Sequence, residues 1–318
     1  LNLQLPTLKS CEQLLQEFMS KNHGVYEAAK LSFTGVGDKD VYNISAPFED
    51  EGELVIAGRV ESRDSEHSEV YFFVERNGEW VPREGAPVLT LQDPFYTRIG
   101  QELIVGGVET FPHPKKEHAL MWRTCLYRGK DMAHLKPFFM GPDGMKDLRL
   151  IELHDGTIGV FTRPQWKGRR GGRGKIGFLQ VSSLDELTNK AIVEAPLLDQ
   201  QFFDSAWGGA NEAHRLKGGR IGVLGHIACY DKQERRYYPM VFTLDPKTGE
   251  HTDIELIAVR ANFIPGPSKR PDLQDVVFSG GLLRHEDGTA TLYAGIGDAE
   301  AQRITIEDPF IRYDKLYL

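Results

Sequence analysis

The chain has 318 residues, with 38 basic and 46 acidic side chains and a formal net charge of -8. An acidic balance argues against a general binder of nucleic acid, which carries a basic surface. Hydrophobic residues at 40% and charged residues at 26% fit a folded globular chain and exclude a disordered one.

A helix is predicted first, over about residues 8–20, where Leu8, Cys11, Leu14, Leu15, Phe18 and Met19 recur at i, i+3, i+4 and i+7. Thr7 is placed to cap its start. Short strand-like runs follow at 53–58, 70–74, 103–108, 157–162, 220–225 and 290–295. Turn residues such as Asn77-Gly78, Asp155-Gly156 and Asp287-Gly288 separate them. Residues 183–189 are the one other helical candidate, of one or two turns.

The strands repeat as a unit, in which a polar strand start leads through a turn to an apolar strand ending in Gly or a polar motif. Asn43 leads to Arg59 and Glu61, Asp93 to Glu109, and Lys146-Asp147 to Arg163. Asn211-Glu212 leads to His226, and Ser279-Gly280 to Asp298. Five such units about fifty residues apart predict an all-β fold, a five-bladed β-propeller with a short N-terminal helix, in one domain over 1–318. A two-sheet sandwich of this length leaves the five similar units without a reason.

Cys11, Cys125 and Cys229 are too few and too scattered for a disulfide framework or a zinc site, which implies a reducing compartment. No apolar run approaches the ~20 residues of a membrane helix. The opening Leu-Asn-Leu-Gln-Leu-Pro lacks a signal-peptide pattern. A cytoplasmic protein without membrane or nucleic-acid partners is expected.

In a propeller the inner strands converge, so polar residues from distant positions meet in one funnel. Carboxylates accepting from hydroxyls beside Arg, Lys and His suit a sugar with an anionic group. Other readings stay open. Asp93-Pro94 fits a strand-start turn. Arg59, Glu61, Arg63 and Asp64 fit a solvated salt-bridge face. His226 fits a satisfied core histidine. A Walker A loop, His-Glu-x-x-His and Gly-x-Ser-x-Gly are absent. The cationic run 167–175 reads as a mobile, anion-attracting loop beside the funnel, without the interleaved aromatics of an RNA site.

The strings Tyr42-Asn-Ile-Ser-Ala-Pro-Phe48, Ala57-Gly-Arg59-Val-Glu-Ser-Arg63-Asp64, Leu91-Gln-Asp93-Pro-Phe95 and Gly106-Gly-Val-Glu109 resemble glycosyltransferase family 108. That family holds β-1,2-mannosyltransferases and β-1,2-mannoside phosphorylases, and is related to the five-bladed mannoside phosphorylases of glycoside hydrolase family 130. The resemblance spans about residues 40–300, most densely 42–109.

By this resemblance Asp93 matches the general acid of a Glu-Asp-Pro-Arg motif, with Phe95 where that family has Arg. Lys146, Arg163 and His226 resemble phosphate ligands, with Ile227 replacing a Gly after the histidine. Arg59 matches an Arg of the glycone and phosphate subsites. Asp298 resembles a glycone-binding Asp, and Asn43 the Asn of an Asn-Pro motif, with Ile44 in place of the Pro. Glu61, Asp64, Glu109, Asp147 and Glu212 complete the candidates for the sugar.

The implied reaction is inverting, reversible phosphorolysis of a β-1,2-mannoside to α-mannose 1-phosphate. Its partners are a mannose-containing oligosaccharide and inorganic phosphate as co-substrate, with no metal or other cofactor. A phosphorylase needs one acid and a cationic pocket, since phosphate is itself the nucleophile, whereas an inverting hydrolase also needs a base. A nucleotide-sugar mannosyltransferase, a hydrolase of the same fold and a non-catalytic sugar-binding propeller are the alternatives.

Overall fold

The computed structural model describes residues 6–21, 23–165 and 171–316. Residues 167–170 of the cationic run therefore lie outside the described residues. The helix is Cys11–Ser20, three residues later than the periodicity predicts, because Ser10 and not Thr7 caps it. Ser10 Oγ accepts from the Gln13 amide at 3.1 Å, and the Gln13 side chain accepts from the Ser10 amide at 2.8 Å. The Thr7 amide donates instead to Asp253 at 2.7 Å. Cys11, Leu14 and Phe18 enter the core against strands Ile221–Asp231 and Glu255–Leu256, while Met19 stays exposed. The second helical candidate splits into a 3-10 turn, Leu184–Glu186, and a helix, Asn189–Glu194, capped by Thr188. A short helix also forms at Ile311–Lys315. No helix among the described residues is long and apolar enough to cross a membrane.

The rest is mostly β, in four sheets of eight, five, four and three strands. The five-stranded sheet centres on Glu53–Glu61 and Ser68–Arg76, and the four-stranded one on Glu102–Pro112 and Leu120–Gly129. The three-stranded sheet is Arg149–Glu152, Ile158–Thr162 and Gly177–Val181. The eight-stranded sheet is two antiparallel groups joined by a parallel pairing of Arg236 with Asp275 and Tyr237 with Val276. One group centres on Ile221–Asp231, the other on Thr289–Ile296. Strand Val25–Lys30, absent from the sequence reading, pairs with Glu300–Glu307 at the outer edge of the last group.

Apolar clusters fill the spaces between successive groups, and one of them joins the last group to the first through Tyr293, Ala301, Val41 and Ile56. This explains why the central strands read as continuous apolar runs. Side chains alternate along a strand, so Val55 and Ala57 enter one cluster while Ile56 enters another. Likewise Leu103 and Val105 face one cluster and Ile104 the next. At the junction of last and first groups the backbones nearly touch. A Cβ on Gly280 would lie 1.6 Å from the Ile44 carbonyl oxygen, so only glycine fits there.

Candidate active site

Four non-glycine residues with left-handed backbones meet at one cavity: Asn43 (φ 47°), Asp93 (φ 49°), Asp147 (φ 60°) and Asp298 (φ 51°). Asn and Asp tolerate this region better than other side chains. Asp93 sits in a β-bulge, where the ladder skips from Gln92 to Phe95. Asn211 occupies a similar skip between Ala210 and Glu212. A bulged residue leaves the ladder, and its side chain is re-aimed.

The cavity holds about 280 Å³. It brings together eight predicted residues: Asn43, Arg59, Asp93, Lys146, Asp147, Arg163, His226 and Asp298. Glu61, Asp64, Glu109 and Glu212 do not line it. Glu61 is buried behind Arg59, where it accepts from Arg59 Nη2 at 2.7 Å and from Tyr42, Ser68 and Lys269. Asp64 is exposed in a turn. Glu109 accepts from Arg123 at 2.7 Å. Glu212 accepts from the Leu282 amide at 2.8 Å and faces His214 at 2.6 Å.

Around Asp93, Asn43 Nδ2 donates at 2.7 Å and Arg59 Nη1 at 3.0 Å to the same carboxylate oxygen. Burial alone would raise the Glu61 carboxyl, but Arg59 and the bonds from Lys269, Ser68 and Tyr42 outweigh it and hold it at about 2. Arg59 is thus a clamp between the side chains of Glu61 and Asp93. The Phe95 ring, at the family's Arg position, carries the Arg149 guanidinium 3.9 Å above its centre.

Asp147 lies 3.5 Å from Arg163, 3.8 Å from Arg149 and 4.0 Å from His226. Its burial penalty is overcome chiefly by Arg163, with Arg149 and Lys146 adding to it, so its carboxyl is held below the ordinary range. Lys146 is lowered, first by burial and then by Arg163. Burial pushes Asp298 up to about 6, with Asp93 adding to the effect and Arg59 opposing it. Cations held close together and partly desolvated favour a bound anion, while a protonated carboxyl can donate to a hydroxyl.

Arg235, Tyr237, Arg270 and Glu66 also line the cavity and were not among the candidates. The Arg-Arg-Tyr-Tyr run at 235–238 carried a signal for two of them, since alternation puts Arg235 and Tyr237 on one face of their strand. Lys269 and Arg270 come from a loop without any repeat signature. A wider vestibule of about 420 Å³ shares Lys146, Arg163, Arg235 and Tyr237 with the cavity. It adds Trp122, Trp207, Tyr230 and Arg173, and no carboxylate among the described residues.

Known proteins share this fold to different degrees. A family model described as a protein of unknown function, DUF1861, matches residues 17–312. No curated protein matches the chain. The mannose phosphorylase MPT-4 of Leishmania mexicana, solved with a phosphate ion, is 37% identical with a TM-score of 0.87, over 95% of this chain and 94% of that one. MPT-1 of Leishmania mexicana, a GDP-Man-dependent mannosyltransferase, is 33% identical with a TM-score of 0.85, over 95% of both chains. The β-1,2-mannobiose phosphorylase of Listeria innocua is 13% identical with a TM-score of 0.57, over 92% of this chain and 93% of that one, a likeness of fold alone. The chain therefore belongs to the DUF1861 family, and with its Leishmania relatives to the family 108 group of mannosyltransferases and mannoside phosphorylases that its motifs resemble.

Proposed function

We propose that the chain is a cytoplasmic, single-domain, five-bladed β-propeller enzyme that cleaves β-1,2-linked mannosides by inverting, reversible phosphorolysis. The observation that carries this reading is one cavity holding Asp93, fixed by Asn43 and Arg59, together with Lys146, Arg163 and His226. The five antiparallel groups with apolar clusters between them support the blade count. The phosphate ion in the mannose phosphorylase relative supports the co-substrate.

Lys146, Arg163 and His226 hold inorganic phosphate, and Asn43, Asp147 and Asp298 hold the mannose. Arg59 spends its guanidinium on Glu61 and Asp93 and serves to position the acid. A phosphate oxygen bonds to the anomeric carbon as the glycosidic C–O bond breaks on the opposite face. The leaving oxygen takes its proton from Asp93, relayed through a sugar hydroxyl as in the related family. Attack opposite the leaving group inverts the centre and gives α-mannose 1-phosphate. Neither a metal nor an organic cofactor enters these steps. The experiment is product analysis of β-1,2-mannobiose with and without phosphate. Phosphate-dependent mannose 1-phosphate is expected, and equal release of free mannose without phosphate overturns the reading.

A mannosyltransferase is the second reading. It is favoured by the vestibule, whose cations and aromatic rings stand without a carboxylate among the described residues, and by the 33% identical GDP-Man-dependent relative. Turnover with GDP-mannose and none with phosphate would select it.

A further inference from the structure

His226 lies in strand Ile221–Asp231, only 3% exposed, with its ring stacked on Tyr237 at 5.5 Å and tilted against Phe278 at 6.1 Å. Its Nε2 faces the cavity residue Asp147 at 4.0 Å. Its Nδ1 points the other way, 2.9 Å from the side-chain amide of Asn211, whose oxygen is placed on that side. The same amide atom lies 2.9 Å from Ser279 Oγ, and Ser279 Oγ lies 2.7 Å from the Gly225 carbonyl oxygen.

A hydroxyl has one proton, and a carbonyl oxygen can only accept. Ser279 therefore donates to Gly225, and whatever approaches its oxygen from Asn211 must donate to it. The oxygen and nitrogen of a side-chain amide have nearly the same shape, and the hydrogen-bond network decides which points where. With the oxygen toward Ser279, two acceptors meet with no proton between them, and the buried Nδ2 has no acceptor at all. With Nδ2 turned there, one of its protons goes to Ser279 Oγ and the other to His226 Nδ1. Nδ1 then accepts with its lone pair, and a neutral imidazole must carry its proton on Nε2.

We propose that Asn211 and Ser279 are positioning residues that fix His226 as the Nε2–H tautomer, so that a neutral histidine presents an N–H to the anion-holding side of the cavity. That the anion is phosphate rests on the proposed function. The imidazolium, which would donate from both nitrogens, is disfavoured by burial and by Arg163, Lys146 and Arg149, against the opposing pull of Asp147, and the ring titrates only at about 4. Tyr237 adds no charge from the stacked face, its phenol being raised, first by burial. His226 thus donates without gaining or losing charge across the neutral range.

The test is nitrogen-resolved NMR on the full chain with labelled histidine, His226 being assigned by its absence in His226→Gln. A protonated Nε2 and a bare Nδ1, unchanged between pH 6 and 8, are expected. A bare Nε2, or an imidazolium titrating in that window, overturns the inference even if phosphate binds. Asn211→Asp offers only acceptors and should bring a proton to Nδ1; an Nδ1 still bare in that variant also overturns it. If the variant does not fold, the wild-type spectrum decides alone. Titration with inorganic phosphate separates the two claims. A protonated Nε2 that phosphate leaves unshifted sinks the phosphate pocket and not the tautomer.

Discussion

Asp93 and Asp147 occupy one cavity, yet their surroundings differ. Asp93 meets Asn43 and Arg59 at 2.7 and 3.0 Å, and Arg59 is locked in turn by Glu61. Asp147 stands 3.5 to 4.0 Å from Arg163, Arg149 and His226. The first is a side chain held at hydrogen-bond distance in one geometry, which suits a group that must act at a fixed point. The second is a looser polar cluster around a buried carboxylate, in which Arg163 and His226 also line the cavity. Positioning was invested on one side and charge on the other.

The largest expected effect tests the fixed side. Asp93→Asn keeps the size and an acceptor for Arg59 but removes the transferable proton. Turnover of β-1,2-mannobiose should fall on the order of a hundredfold or more, with the thermal midpoint nearly unchanged. Near-full turnover would remove Asp93 from the acid's role and erase the contrast.

Next come Lys146→Ala and Arg163→Ala on the looser side. A hydrogen bond to a charged group is worth about 1.5–3 kcal/mol, so each should weaken phosphate binding by roughly tenfold to a hundredfold. Calorimetric titration with mannobiose should show a much smaller loss. Equal losses of both ligands in folded variants would mean that the cavity is not divided.

Asp298→Asn sharpens the comparison through pH. The Asp298 carboxyl is raised from 3.8 to about 6, chiefly by burial, so the folded chain favours its protonated form. Its contribution to stability is full below about pH 4 and is lost as pH rises through 6. The variant carries no such cost and keeps an amide that tolerates the left-handed backbone. It should be more stable than wild type at pH 8, by up to roughly 3 kcal/mol, with the gap closing toward pH 4. Melts in which the gap widens toward acid would reverse the assignment.

The smallest effects are expected outside the cavity. Asp64→Ala and Glu109→Ala should leave turnover within about twofold, as surface changes usually do. A larger loss in either would return that residue to the site.

The strands were legible because both their faces are buried, which leaves runs such as Val55–Gly58 apolar throughout. Val25–Lys30 was not, since after Val25 it has no β-branched residue and its edge position leaves much of it exposed. Asn43, Asp93 and Asp147 could be found because each unit places a polar residue at or beside a strand end, where the left-handed backbone favours Asn or Asp. Glu61 and Glu109 end similar motifs, Gly-Arg-Val-Glu and Gly-Gly-Val-Glu, yet both turn from the cavity, one to Arg59 and Lys269 and the other to Arg123. The repeat locates the strand end but not the partner that claims the carboxylate. Arg270 and Lys269 arrive on a loop whose path follows from tertiary packing alone.

Strand Val25–Lys30 pairs with a strand roughly 270 to 280 residues later, the longest kind of contact a chain of this size can make. A ribosome making the protein releases the early strand about 270 residues before its partner. Over that interval the edge has nothing to zip against, and it must be kept from neighbouring nascent chains. Its sparse apolar content and its Glu27 and Lys30 make it a poor template for them. The seam is thus quiet while the chain is being made and fastens only once the last strand group is out.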